Sequence, residues 1–168
     1  MLARASAGPA CRPMMPSDWS TRGERSVMRN SSEPMESSGR TGRLLIIDNS
    51  AIYADMIKAT YIPELRTHRL HAPSLIDYEF LQAARRGARN PQLGANRARE
   101  AIESFLELHI ERHPARPLLR AMWRHRHDIS AYDASYVALA QSLGAPLLTC
   151  DRRLARAAER FCDVIVPD

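Results

Sequence analysis

Two unbroken apolar runs in this chain each end in an aspartate. Leu44-Leu45-Ile46-Ile47 leads into Asp48, and Pro146-Leu147-Leu148-Thr149-Cys150 leads into Asp151. A short aliphatic run without alternation predicts a strand buried on both faces, the kind that parallel sheets use. Leu108-His109-Ile110-Glu111-Arg112-His113 alternates instead and stops at Pro114, which predicts a strand nearer the sheet edge. His71-Ala72-Pro73 predicts a very short strand, and Val164-Ile165-Val166 a last one.

Helical spacing fills the intervals. Ser50 is placed to cap a helix over about 51–59, and a short helix or turn follows through 61–69. Ser74-Leu75-Ile76-Asp77 has the capping-box pattern, with Ile76, Phe80 and Ala83 as the stripe behind it and a stop near Arg86-Gly87. Ala98, Ile102, Phe105 and Leu106 predict the inner face of a helix over about 96–108, and another helix spans about 117–127. Ser130 caps a helix over 131–143, where Tyr132, Tyr136, Leu139 and Leu143 form a packing stripe and Gly144 is the stop. A final helix covers about 152–160. Strands alternating with helices predict an α/β fold, a mostly parallel sheet with helices on both faces and right-handed crossovers.

Residues 1–42 break this pattern. They hold Pro9, Pro13, Pro16, Pro34, four glycines, many serines and no apolar period. The segment reads as a disordered extension, or as sequence upstream of a true start at Met28 or Met35. Its six arginines stand against four acidic residues, so it is not a strong nucleic-acid arm. The domain proper is expected over 43–168. A chain of 168 residues suits one domain with a sizeable core. The net charge of +5, carried by arginine apart from Lys58, weakly favours an anionic partner. Cys11, Cys150 and Cys162 match no ligand or disulfide spacing, and the last two read as small buried hydrophobes in a reducing, cytoplasmic setting. No run approaches the length of a membrane span.

Ligands of open α/β sheets bind beyond the carboxyl ends of the strands. Asp48 and Asp151 are expected at that edge. Glu79 and Asp133 stand near the starts of helices that begin there, so the four carboxylates can form one pocket. Each also has a plainer reading: a turn at Asp48, a helix cap at Asp151, a first-turn acid at Asp133, a surface group at Glu79. Clustered carboxylates repel unless a cation or proton offsets the charge, and oxygen-only ligands suit Mg²⁺ or Mn²⁺. Such an ion would equip the pocket to hydrolyse a phosphodiester.

Four segments carry a family resemblance. Leu45-Ile46-Ile47-Asp48-Asn49-Ser50-Ala51 resembles the opening motif of PIN-domain ribonucleases, especially the VapC toxins of bacterial type II toxin–antitoxin pairs. His71 to Phe80 is similar to their second motif, Ser130 to Ala140 to the third, and Gly144 to Leu154 to the fourth. The resemblance implies a three-layer α/β/α sandwich with four or five strands. It assigns Asp48, Glu79, Asp133 and Asp151 to a catalytic site with Mg²⁺ or Mn²⁺. It implies endonucleolytic cleavage of RNA to 5′-phosphate and 3′-hydroxyl ends, with transfer RNA as the family-level substrate. A cognate antitoxin and a homodimer are the implied protein partners. Asp128 stands where these toxins more often carry Asn, and it reads as a loop residue. Asn49 replaces the small residue common after the first Asp. The densest basic stretch, Arg120, Arg124, His125, Arg126 and His127, and the pair Arg152-Arg153 are candidates for phosphate contacts, foremost Arg124, Arg126 and Arg152. Trp123 reads as core or dimer contact ahead of base stacking. Two rivals remain, a non-catalytic binding platform and a nuclease for structured DNA.

Overall fold

The computed structural model describes residues 42–167. Apart from Gly42, the expected N-terminal extension lies outside the described residues. Five strands form one sheet: β1 (Leu44–Ile47), β2 (Arg69–Pro73), β3 (Ile110–His113), β4 (Leu147–Leu148) and β5 (Val164–Ile165). All pairings are parallel, in the order β3-β2-β1-β4-β5. The helices are α1 (Asn49–Met56), α2 (Glu64–Thr67), α3 (Ile76–Ala88), α4 (Gly94–Glu107), α5 (Leu119–Arg124), α6 (Ala131–Leu143) and α7 (Arg152–Ala158), with a 3₁₀ turn at Arg116–Leu118.

The strand order dictates the layers. From β1 the chain steps outward to β2 and β3, then returns past them to β4 and β5. Right-handed crossovers put helices of opposite step direction on opposite faces. Accordingly α1, α3 and α4 pack on one another, while α5 packs on α6, and α6 covers β1, β2 and β4. The result is a three-layer α/β/α sandwich. The step direction reverses between β1 and β4, whose register pairs Ile46 with Leu147 and Ile47 with Leu148. Leu45, Ile46, Ile47, Leu147 and Leu148 have no solvent exposure, as unbroken apolar runs in central strands require.

Several local expectations change. The cap of α1 is Asp48, whose side chain accepts from Ala51 N, and not Ser50. Ser74 does not cap α3. Its backbone N–H and hydroxyl both donate to the His113 carbonyl, extending the β2–β3 pairing, and α3 starts with no side-chain cap. On α4 the inner face is Ala98, Ala101 and Phe105, which leaves Leu106 exposed. On α6 Tyr136 and Leu139 are buried, but Tyr132 in the first turn is exposed. The caps at Ser130 and Asp151 form as expected, and Gly144 ends α6 with φ +58°, the left-handed conformation that favours glycine. Cys150 and Cys162 are free and only partly buried.

Phe80 on α3 and Phe105 on α4 stack with ring centroids 4.2 Å apart and lock the helix that carries Glu79. Truncating Phe80 to Ala should cost about 3–5 kcal/mol, the usual loss for a buried aromatic. A urea titration would show it as a lower midpoint with an unchanged slope.

Candidate active site

The carboxyl edge of the sheet at the β1/β4 reversal opens into a pocket of about 470 Å³. Asp48, Glu79, Asp133 and Asp151 all line it. Asp48 follows β1, and Asp151 follows β4. Glu79 lies in the first turn of α3, in one helical layer, and Asp133 in the first turn of α6, in the other. Strand ends and helix starts share this edge, so four elements distant in sequence deliver their acids to one place.

The two strand-terminal aspartates are tied together by hydroxyls. Asp48 Oδ1 accepts from Ser50 Oγ at 2.7 Å and from Ala51 N at 3.2 Å, while its Oδ2 accepts from Thr149 Oγ1 at 2.9 Å. Ser50 Oγ in turn accepts from the backbone N–H of Cys150 at 2.8 Å and of Asp151 at 3.1 Å. Asp151 N also reaches Thr149 Oγ1, at 3.0 Å. Asp151 caps α7 through Oδ1, which accepts from Arg153 N and Leu154 N, so the plain cap and the pocket placement hold together. Across the pocket the Tyr136 hydroxyl on α6 donates to Glu79 Oε2 on α3, joining the two helical layers over the sheet edge.

Electrostatics follow from burial. Asp48 is 6% exposed, and burial pushes its carboxyl up from 3.8 to about 6. The hydrogen bonds from Ser50, Thr149 and Ala51 act the other way, and the charge of Glu79 adds to the rise. Glu79 is raised by burial and by Asp133, against the hydrogen bond from Tyr136. The Tyr136 phenol is held firmly protonated by burial and by the carboxylates around it, which keeps it a donor. Among the described residues, none of the four acids forms a salt bridge with Arg, Lys or His; the ion pairs present involve other groups. Asn49, also lining the pocket, leaves a buried Oδ1 without a hydrogen-bond partner. Four acids, acceptor-only when ionised, and an orphaned amide oxygen make a donor set that fits a hard divalent cation.

The basic candidates fare unequally. Arg126 lines an adjoining pocket of about 310 Å³ with Arg153, His127 and Asp128, and Asp133 borders both pockets. Arg124, the last residue of α5, and Arg152, the first of α7, are exposed and belong to neither lining. His125 is not part of a basic surface: it is buried, bonds Gln141 Oε1 at 3.0 Å and packs on Phe161. Asp128 pairs with Arg160 at 2.9 Å, consistent with a loop residue. Trp123 is exposed and not core. Sequence reasoning missed Thr149, Tyr136 as a partner of Glu79, and Arg86, Gln82, Tyr78 and Tyr132 on the pocket wall. A hydroxyl inside an otherwise apolar strand was the one available signal, at Thr149.

Known proteins resemble this chain in sequence and fold. The PIN domain family model matches residues 45–160. The chain is 36% identical over 124 residues to "VapC ribonuclease Mb0985" of Mycobacterium bovis, covering 73% of this chain and 98% of that protein. It is 40% identical over 95 residues to "Ribonuclease VapC1" of Mycobacterium tuberculosis, covering 56% and 71%. Among solved structures, PAE2754 of Pyrobaculum aerophilum superposes with a TM-score of 0.56 at 27% identity, over 75% of this chain and 92% of that one. VapBC2 of Rickettsia felis, solved bound to a DNA fragment from its promoter, superposes at 0.57 with 11% identity over 74% and 99%, a likeness of fold. With its fold, its acidic edge and the match over 45–160, the chain belongs to the PIN domain family and groups there with the VapC ribonucleases.

Proposed function

We propose that the protein is a Mg²⁺- or Mn²⁺-dependent endoribonuclease and the toxin of a toxin–antitoxin pair. One observation carries this reading: four carboxylates from separate elements line one pocket and, among the described residues, no basic side chain pairs with any of them. Such a cluster is costly without a cation. The relatives named VapC ribonuclease support RNA as the substrate. Transfer RNA, an antitoxin that covers the pocket, and a homodimer are the accompanying expectations. Among the described residues, no helix is long and apolar enough to cross a membrane.

Asp48, Asp133 and Asp151 would hold the ion, directly or through water. A bound Mg²⁺ or Mn²⁺ supplies positive charge that polarises the phosphodiester and eases ionisation of an attacking water. Asp48 enters that role oriented on both oxygens; Oδ1 accepts from Ser50 and Ala51, while Oδ2 accepts from Thr149 alone and keeps a lone pair for the cation. Glu79 is anchored at Oε2 by Tyr136, and its other oxygen orients the water and accepts its proton. A raised carboxyl pKa suits proton acceptance. Attack of water on phosphorus leaves a 5′-phosphate and a 3′-hydroxyl. Arg126 and Arg153 would hold flanking phosphates in the adjoining pocket.

Asp48→Asn and Asp133→Asn should each abolish Mg²⁺-dependent cleavage of total cellular RNA while leaving circular dichroism unchanged. Full activity in either variant, or wild-type activity that survives EDTA, would remove the metal-site assignment. A parallel assay on structured DNA separates the RNA reading from its DNA rival.

Protons compete with the cation at Asp48. Its carboxyl titrates near 6, so Mn²⁺ affinity by calorimetry should be level above pH 7. Below pH 6 it should fall roughly tenfold per pH unit from this group alone. A flat profile between pH 7.5 and 5 would contradict a role for Asp48 in binding.

Phosphate contacts release counterions. In an Asp48→Asn background, replacing Arg126 and Arg153 with Ala should weaken binding to single-stranded RNA. The slope of log affinity against log salt should drop by roughly 1.4, at about 0.7 per contact. An unchanged slope would show that these arginines do not touch the backbone.

A further inference from the structure

A second set of ligand atoms converges on the sheet, outside the acidic pocket. His71 on β2 and Glu111 on β3 are register partners, and His113 pairs in register with Pro73, two residues on. Side chains alternate along a strand, so Glu111 and His113 share a face with each other and with His71. His71 Nδ1 lies 3.0 Å from His113 Nε2. Glu111 Oε2 is 3.6 Å from His71 Nδ1, and its Oε1 is 3.8 Å from His113 Nε2. Those carboxylate distances are too long for hydrogen bonds. A histidine pair sharing a proton needs no carboxylate standing at both facing nitrogens. Donors about 2.1 Å from a common ion at tetrahedral angles lie about 3.4 Å apart. The two ring nitrogens are 3.0 Å apart, and one donor atom from each of the three residues fits within 4.8 Å of the others, so a small turn of the exposed Glu111 carboxylate would complete the set.

We propose that His71, Glu111 and His113 form a second metal site, for a transition-metal dication of the zinc class. Two imidazole nitrogens and one carboxylate suit Zn²⁺ or Co²⁺ and disfavour Mg²⁺, which prefers oxygen and keeps its water. Three protein ligands leave a fourth position for water. His71 is buried while Glu111 is exposed at its side chain, so the cluster has a fixed floor and an open approach. In the metal-free protein one ring N–H lies between the two facing nitrogens. On binding, that proton moves to the far nitrogen of its own ring, both rings stay neutral, and both facing lone pairs turn to the ion. The ion would clamp β2 to the edge strand β3. Because β2 runs through Ser74 and Leu75 into α3, the clamp would fix the strand that leads into the helix carrying Glu79.

The test uses the full chain carrying Asp48→Asn and Asp133→Asn, which strips the acidic pocket of two ligands. Titration with Co²⁺ should give a saturable visible absorption band at one equivalent. Zn²⁺ should raise the thermal midpoint of the same protein, and Mg²⁺ at equal concentration should not. Adding His113→Gln should remove the band and the thermal shift, and adding Glu111→Gln, an exposed change that spares the fold, should weaken both. Absence of a saturable band in the doubly substituted protein overturns the proposal. So does a band that neither His113→Gln nor Glu111→Gln alters while circular dichroism shows both proteins folded.

Discussion

The structure turns on a carboxylate buried at the end of its central strand. Asp48 sits at the one point where the chain reverses its direction across the sheet, and almost no water reaches it. Burial disfavours its charge, and the three hydrogen bonds it accepts reduce that penalty without cancelling it. Glu79 adds a second raised carboxyl, and among the described residues no basic side chain pairs with either. A fold that concentrates negative charge in this way favours a bound cation or a proton among the acids.

The geometry that gathers them follows from topology. Parallel strands end at one edge, and the helices that follow or precede them begin there. Asp48 and Asp151 each use this twice, capping the next helix and facing the pocket. The hydroxyls of Ser50 and Thr149 hold those two loops in fixed relation, so the β1–β4 register is transmitted to the acids as well as to the core. Tyr136 does the same between the helical layers, through Glu79.

What could be read from the sequence divides along physical lines. Unbroken aliphatic runs, the Ser130 cap and the Gly144 stop are local signals, so β1, β4 and α6 emerged close to their observed bounds. The four acids were visible because each is one step from such a signal. Contacts set by register or by packing between layers were not. Ser50 looked like a cap because only its own neighbours were in view, while its partners Cys150 and Asp151 lie about a hundred positions away. Tyr132 and Tyr136 share a helical stripe, yet the first stands at the pocket rim and the second is buried against Glu79. His125 looked like one more basic group in a basic stretch, and its burial against Phe161 reverses that.

Register also explains why two different donor sets occur on one sheet. At the β1/β4 reversal the connections step away in opposite directions across the sheet and open a crevice lined by oxygen. Between β2 and β3 the strands continue in step, and four consecutive register pairs hold His71, Glu111 and His113 on one face of the sheet. The crevice has room for a ligand, because its acids come from four separate elements around an open volume. The strand pair offers no such volume, only nitrogen and oxygen atoms at ligand spacing on adjacent backbones. The first place therefore has the room and the oxygen donors that the proposed cleavage calls for, and the second has groups whose positions the sheet itself prescribes.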